Sequence, residues 1–94
     1  MGDEVQGLWV KADGTIHTIK AENADGTFTL KQVQEAVGGY VEIVRDHPGE
    51  AEGLMLLVNE DGLHERLPKN ETMTAETGKL IVGNALVIPE GSFK

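Results

Sequence analysis

Residues 5–11 are strand-like, with polar residues on both sides of the apolar run Leu8, Trp9 and Val10. If this segment is a strand, Leu8 and Val10 share one face and Trp9 lies on the other. Asp13 and Gly14 follow, a pair typical of hairpin turns because both residue types tolerate a positive φ. Residues 15–19 then return as a second strand rich in β-branched side chains. The pattern predicts an opening hairpin whose first strand lies at a sheet edge.

Apolar residues next recur at helical spacing. Leu30, Val33 and Val37 form a stripe that would share one face of a helix over residues 29–38. A helix of this length has only about two and a half turns and is marginal alone in water. We therefore expect it to pack its apolar stripe on a sheet.

Both ends of this helix are marked in the sequence. Thr29 with Gln32 fits a capping box, in which each side chain bonds the backbone of the other. Phe28 and Val33 have the spacing of a hydrophobic staple. The glycine pair at 38–39 can supply the left-handed residue that ends a helix.

The rest of the chain predicts short strands joined by turns. The predicted strands are residues 40–44, 54–58, 63–67 and 79–88, the last with a bulge or bend at Gly83 and Asn84. The continuous apolar run at 54–58 suits a central strand covered on both sides. A brief helical turn is predicted near residues 72–78, with Thr72 or Thr74 as its cap.

Together these elements predict an α+β fold. Its sheet is mainly antiparallel, with five to six short strands, and the helix of residues 29–38 packs on one face. The length of 94 residues predicts a single domain over 1–94, with a core at about 5–88 and a tail at 89–94.

Composition excludes several classes of function. The chain has no cysteine, which rules out disulfides, thiolate catalysis and cysteine-based metal sites. Its acidic start lacks an apolar segment of signal-peptide length, and its longest apolar run is far too short to span a bilayer. We expect a cytoplasmic protein.

The net charge of −8 disfavours direct nucleic-acid binding, since contacts to phosphates need clustered basic residues. Three interpretations of the acidity remain open. The surface mimics nucleic acid and occupies a basic groove, it reflects a salt-rich cytoplasm, or it keeps a small domain in solution.

The residues that carry chemistry do not form a recognised catalytic pattern. His17, His47 and His64 fall in different elements, and no two have the spacing of a helical zinc motif. The one serine, Ser92, lies near the end of the chain and outside any nucleophile motif. The sequence therefore predicts no catalytic residue, no metal site and no cofactor.

Two places are candidates for binding. Asn59, Glu60, His64 and Asn70 form a predicted polar edge that would bind a small molecule or nucleotide. Trp9 is the only tryptophan; it either packs in the core or anchors a partner, since tryptophan is enriched at interfaces.

Four segments in order resemble one protein family. They are GGYVEIV at 38–44, LVNEDG at 57–62, LPKN at 67–70 and IVGNALV at 81–87. The chain resembles a small family of domains of unknown function, the DUF3846 type, whose members are short proteins of bacteriophages, other viruses and prokaryotes. The resemblance implies a small accessory protein, encoded by a phage or another mobile element, and it transfers no catalytic residue.

Two functions follow as hypotheses. The favoured one is a non-enzymatic accessory module that binds a protein partner and modulates a host system. The alternative is a domain that binds a small molecule or nucleotide, with at most weak hydrolytic activity.

Overall fold

Five strands form one antiparallel sheet in the computed structural model, which describes residues 5–93. The strands are β1 (Gln6–Val10), β2 (Ile16–Lys20), β3 (Val41–Val44), β4 (Leu54–Asn59) and β5 (Ala85–Pro89). Their order across the sheet is β2-β1-β5-β4-β3, and every neighbouring pair is antiparallel. The helices are α1 (Leu30–Val37), α2 (Glu71–Thr77) and a 3-10 helix, Pro48–Glu52. The predicted α+β class, with one main helix on an antiparallel sheet, is confirmed.

The position of β1 differs from the prediction. It lies inside the sheet, between β2 and β5, and not at an edge. Leu8 pairs with Val87 of β5, the last strand of the chain. This pairing joins the two ends of the sequence, so no local pattern around β1 reveals it.

Both predicted ends of α1 are confirmed. The Thr29 hydroxyl accepts a hydrogen bond from the Gln32 backbone N–H at 2.9 Å, and the Thr29 N–H donates to Gln32 Oε1 at 3.4 Å. Phe28 and Val33 are fully buried in one apolar cluster, as a hydrophobic staple requires. Gly38 ends the helix in the left-handed conformation, with φ of 82°.

The buried stripe of α1 differs by one residue from the prediction. Val33, Ala36 and Val37 are buried, whereas Leu30 is 53% exposed. At about 100° per residue the three buried positions span an arc about 100° wide, and Leu30 lies just beyond its edge. The Trp9 indole N–H donates to the Ala36 carbonyl at 2.8 Å, and this bond holds the small Ala36 toward the sheet.

In the second half, the predicted strand at 63–67 is wrong, and the predicted strand at 79–88 is confirmed only for residues 85–88, which belong to β5. Residues 63–67 lie mainly in turns, where Arg66 has a φ of 57° that interrupts extended backbone. The segment 79–84 makes only an isolated bridge, between Lys69 and Val82, and β5 begins at Ala85. Gly83, with φ of 76°, turns the chain before the strand instead of bending it within.

The cap of α2 is also a correction. Asn70 precedes the helix, and its side chain accepts a hydrogen bond from the Met73 backbone N–H at 3.0 Å, so neither Thr72 nor Thr74 is the cap. Asn is a stronger N-cap than Thr because its short carbonyl reaches the N3 amide readily.

Residues 89–93 pack on the domain, although the sequence predicts a tail from 89 onward. Pro89 is the last residue of β5, and the Phe28 backbone N–H donates to the Ser92 carbonyl at 2.6 Å. The Phe93 side chain packs against the apolar cluster under α1.

The sheet has an apolar core on each face. The core under α1 contains Phe28, Val33, Ala36, Leu57, Leu86 and Ile88. The core on the opposite face contains Val10, Leu56, Val58, Met73, Ile81 and Ala85. Residues of β4 alternate between the two cores, which confirms the prediction of a central strand covered on both sides.

Candidate functional site

The sheet face opposite α1 is only partly covered. On it, Leu8 of β1 and Ile16 of β2 remain 47% and 53% exposed. These side chains line an apolar groove of about 310 Å³. Its floor is formed by β-strand residues Leu8, Val10, Ile16, Leu54, Leu56 and Val87. Its walls come from α2 and from the 3-10 helix with the residue before it.

The apolar surface continues beyond this groove along the same strands. A shallower depression of about 260 Å³ shares Leu8, Leu54 and Val87 with the groove. Together the two follow β1 from Val10 to Gln6, a length of about 13 Å at roughly 3.3 Å per residue. The uncovered surface is therefore elongated, about the length of five extended residues.

A buried imidazole forms part of the groove wall. His47 is 8% exposed, and its Nε2 atom is buried with no hydrogen-bond partner among residues 5–93. Gly49 permits this placement, since a Cβ there would lie 3.1 Å from His47 Nδ1. Nearly all buried polar atoms in native proteins have a partner, so this nitrogen has an unused capacity for a hydrogen bond to a water or to a polar group of a ligand.

The charged side chains at the groove are all acidic. Glu52 and Glu76 line it, and both are exposed. Neither makes an ion pair within the part of the chain that the structure describes, and no lysine or arginine is among the lining residues. The groove thus combines an apolar floor with a negative rim.

The four residues of the predicted polar edge do not line one common groove. Asn59 and Glu60 line a second groove, of about 330 Å³, between β3 and residues 79–82. His64 and Asn70 are not among its lining residues. Glu60 and His64 are exposed, whereas Asn59 and Asn70 are buried. Ligand binding at these positions stays a prediction.

Asn70 links three parts of the fold. It is 0% exposed, and its side-chain amide donates to the carbonyls of Val10, at 2.9 Å, and Gly83, at 3.0 Å. Its carbonyl oxygen caps α2 through the Met73 N–H. The three contacts use both donors and one lone pair of the amide, so the geometry assigns this side chain a structural role.

Asn59 is engaged in a similar way. Its amide donates to the Val37 carbonyl at the end of α1, at 3.3 Å, and its oxygen accepts from the Asp61 N–H at 2.7 Å. The side chain therefore fixes the end of α1 to the turn that follows β4.

Trp9 lies on the α1 face, opposite Leu8 and Val10, as its position in the strand predicts. It is half-buried and bonded to Ala36. Its outer part meets other side chains: Lys11 Nζ lies 4.9 Å from the ring centroid, and the His17 ring centroid lies at 5.8 Å. A role for Trp9 in binding a partner stays a prediction.

The described residues hold neither a metal-binding cluster nor a membrane-spanning helix. Within residues 5–93, no group of three or more His, Cys, Asp or Glu side chains is placed to hold a metal ion. No helix in the described part of the chain is long and apolar enough to cross a membrane.

The carboxylate of Asp13 has a lowered pKa. The Thr15 hydroxyl donates to Asp13 Oδ1 at 2.6 Å and the Thr15 N–H donates to it at 2.9 Å. These bonds favour the charged form and lower the pKa of Asp13 below its ordinary value. Asp13 lies in the β1–β2 turn, outside the groove.

Sequence reasoning missed the groove, although one pattern points to it. Strand β1 carries large apolar residues on both faces, with Leu8 and Val10 opposite Trp9. The sequence predicts one principal helix, which covers one of these faces, so part of the other face is expected to stay open. The role of His47 has no comparable pattern, because its burial depends on the path of the 3-10 helix.

The comparisons with known proteins establish the family. The model of the family described as "Domain of unknown function (DUF3846)" matches residues 5–93, nearly the whole chain, and the chain belongs to this family. No curated protein and no solved structure matches the chain.

Proposed function

We propose that this member of the DUF3846 family is a non-enzymatic module that binds a short segment of a partner protein in the groove opposite α1. The main support for this proposal is the uncovered apolar floor of the groove, where Leu8 and Ile16 are about half exposed on adjacent strands. Contiguous exposed apolar surface rimmed by polar residues is typical of binding surfaces.

The shape of the surface favours an extended segment over a compact ligand. The groove and its adjoining depression are open and follow the strand direction for about 13 Å. An extended peptide places every second side chain on one face, so three apolar side chains of a five-residue segment would reach the floor. A contact this small is typical of weak or transient interactions.

Among the described residues of the groove, His47 is not paired with a nucleophile or with a carboxylate that would orient it. No hydrogen bond joins His47 to a hydroxyl or carboxylate among the described residues. Hydrolysis by an activated nucleophile relies on such a pair.

A matched pair of variants tests the proposal. Ile16 lines the groove and Leu30 lies outside it on α1, yet both are large aliphatic residues that are 53% exposed. We expect Ile16→Thr to lower recovery of a protein partner from lysate of the source cell about tenfold, which corresponds to about 1.4 kcal/mol. Leu30→Gln should leave recovery unchanged.

The partner must then bind the groove directly. In amide NMR titrations with the purified partner, we expect shifts for residues of β1, β2 and α2. Equal recovery by the two variants, shifts confined to other surfaces, or repeated failure to recover any partner would each overturn the proposal. Thermal melts of both variants show whether they remain folded.

A small-molecule-binding domain is the second candidate. The groove volume of about 310 Å³ falls at the lower end of small-molecule pockets, and Nε2 of His47 offers a polar anchor. Glu52 and Glu76 would repel phosphates, so a nucleotide fits this rim poorly. A ligand at a hundred times its Kd should stabilise the fold by about 2.7 kcal/mol, which a thermal-shift screen detects.

The accessory role in a phage or other mobile element rests on the family resemblance. Gene neighbourhood tests it: we expect the gene among phage or mobile-element genes, and a consistent place in a host metabolic operon would contradict it.

A further inference from the structure

We infer that the segment bound in the groove carries a basic residue beside its apolar side chains. This inference rests on the proposed function and adds the chemistry of the partner. It depends on the charge of the rim and on the unpartnered imidazole in the wall.

The rim selects for positive charge. Glu52 comes from the 3-10 helix and Glu76 from α2, so the two walls each contribute a carboxylate. Neither carboxylate is neutralised by a described residue. A lysine or arginine on the partner gains attraction from both, and the net charge of −8 adds long-range steering toward cations.

The imidazole in the wall suits the same head group. A neutral histidine can accept a hydrogen bond at Nε2 when its other ring nitrogen carries the proton. Lysine and arginine side chains only donate hydrogen bonds. A basic head group therefore complements the two glutamates, and the unpartnered Nε2 of His47 in the same wall is an acceptor and not a competing donor.

The same charges argue against a second copy of this chain as the occupant. A symmetric dimer through this face would bring the two acidic rims together without a basic residue from either groove. Like charges placed opposite each other disfavour association.

Three blocked peptides of one length test the charge preference. They share their apolar residues and differ only in charge: acetyl-LKVKL-amide, acetyl-LQVQL-amide and acetyl-LEVEL-amide. We expect amide shifts in β1, β2 and α2, with the lysine peptide binding at least fivefold more tightly than the glutamine peptide and the glutamate peptide weakest. Raising the salt to about 0.5 M should narrow these differences through screening.

Two double variants separate the rim from net charge. Glu52→Gln with Glu76→Gln should remove most of the preference for the lysine peptide. Glu65→Gln with Glu90→Gln changes the net charge equally but lies outside the groove, and should preserve the preference.

The outcomes distinguish the two proposals. Equal binding of all three peptides at the groove overturns the charge preference and leaves the proposed function standing. If both double variants lose the preference for the lysine peptide to the same extent, the preference depends only on net charge. That result also overturns the inference that the groove rim selects a basic residue. If no peptide shifts groove residues, the proposed function fails as well. Concentration-dependent shifts of the same amides without peptide would identify a second copy as the occupant and overturn both.

Discussion

Replacing Asn70 with alanine tests whether this residue is structural or binds a ligand. In the structure its buried side chain joins β1, the turn before β5 and the start of α2 through three hydrogen bonds. Alanine removes all three without adding bulk. We therefore expect Asn70→Ala to destabilise the whole domain.

The magnitude follows from the three bonds. Losing the N-cap of α2 costs about 1 kcal/mol. Each carbonyl that loses its amide donor costs about 1 kcal/mol, and more if water does not reach it. The expected total is about 3–5 kcal/mol, a large part of the roughly 5–14 kcal/mol that holds a domain of this length together.

Urea unfolding followed by circular dichroism measures this loss. Asn84→Ala is the control, since Asn84 accepts a single hydrogen bond, from the Ala12 N–H at 2.9 Å, and should cost about 1 kcal/mol. Asn70→Asp keeps the cap but turns an oxygen toward two carbonyls, so we expect it to be at least as unstable as Asn70→Ala. An Asn70→Ala protein within about 1 kcal/mol of wild type would refute the structural role and favour the ligand-binding prediction.

Three further predictions concern the fold. Val33→Ala should lower the free energy of unfolding in urea by about 2 kcal/mol, and Leu30→Ala by less than about 0.5 kcal/mol, because Val33 is buried and Leu30 is exposed. Equal decreases in the two variants would contradict the observed buried face of α1. Gly7→Ala should cost about 1–3 kcal/mol, since the added methyl would lie 2.6 Å from a β5 side-chain methyl, and an unchanged urea midpoint would be inconsistent with that packing. Thr15→Val should raise the pKa of Asp13 toward its ordinary value in a ¹³C carboxyl NMR titration, because the hydroxyl donor is lost. In wild type the pKa of Asp13 is lowered by folding. Its contribution to stability is therefore present above the unfolded pKa and is lost as pH falls through the folded pKa. If the pKa of Asp13 is the same in Thr15→Val as in wild type, the result would count against the hydrogen bond.

The sequence predicts α1 well because its determinants are local. The partners of the capping box, Thr29 and Gln32, are three residues apart, and Gly38 acts through its own backbone. The same holds for the Asp13 and Gly14 turn, where Gly14 has a φ of 94°. Such features depend on a few neighbours and survive in almost any tertiary context.

The errors arise where distant parts of the chain meet. Leu30 is exposed because α1 approaches the sheet through Ala36, which is bonded to a strand 27 residues earlier. The position of β1 depends on β5 at the other end of the chain. Residues 79–82 have a strand-like composition, but they form no strand. Their β pairing is a single isolated bridge, between Val82 and Lys69.

The apolar residues on both faces of β1 indicate an open face, but the sequence does not predict the lining of the groove, for the same reason. Its floor combines strands β1, β2, β4 and β5, and its walls come from α2 and the 3-10 helix region. The two wall glutamates are 24 positions apart in the chain, so no motif contains both. By contrast, Asn59 and Asn70 stood out in the sequence because they flank turns, and the structure gives them hydrogen bonds within the fold.

Site-specific crosslinking can show whether the face opposite α1 binds a protein. The chain has no cysteine, so Ile16→Cys and Leu30→Cys each introduce a single thiol for a photoreactive label, at two positions of equal exposure. In lysate of the source cell, we expect the label at position 16, in the groove, to form a discrete protein adduct and the label at position 30 to form none. An adduct from position 30 alone, or equal adducts from both, would contradict the claim that the uncovered face opposite α1 is the binding surface.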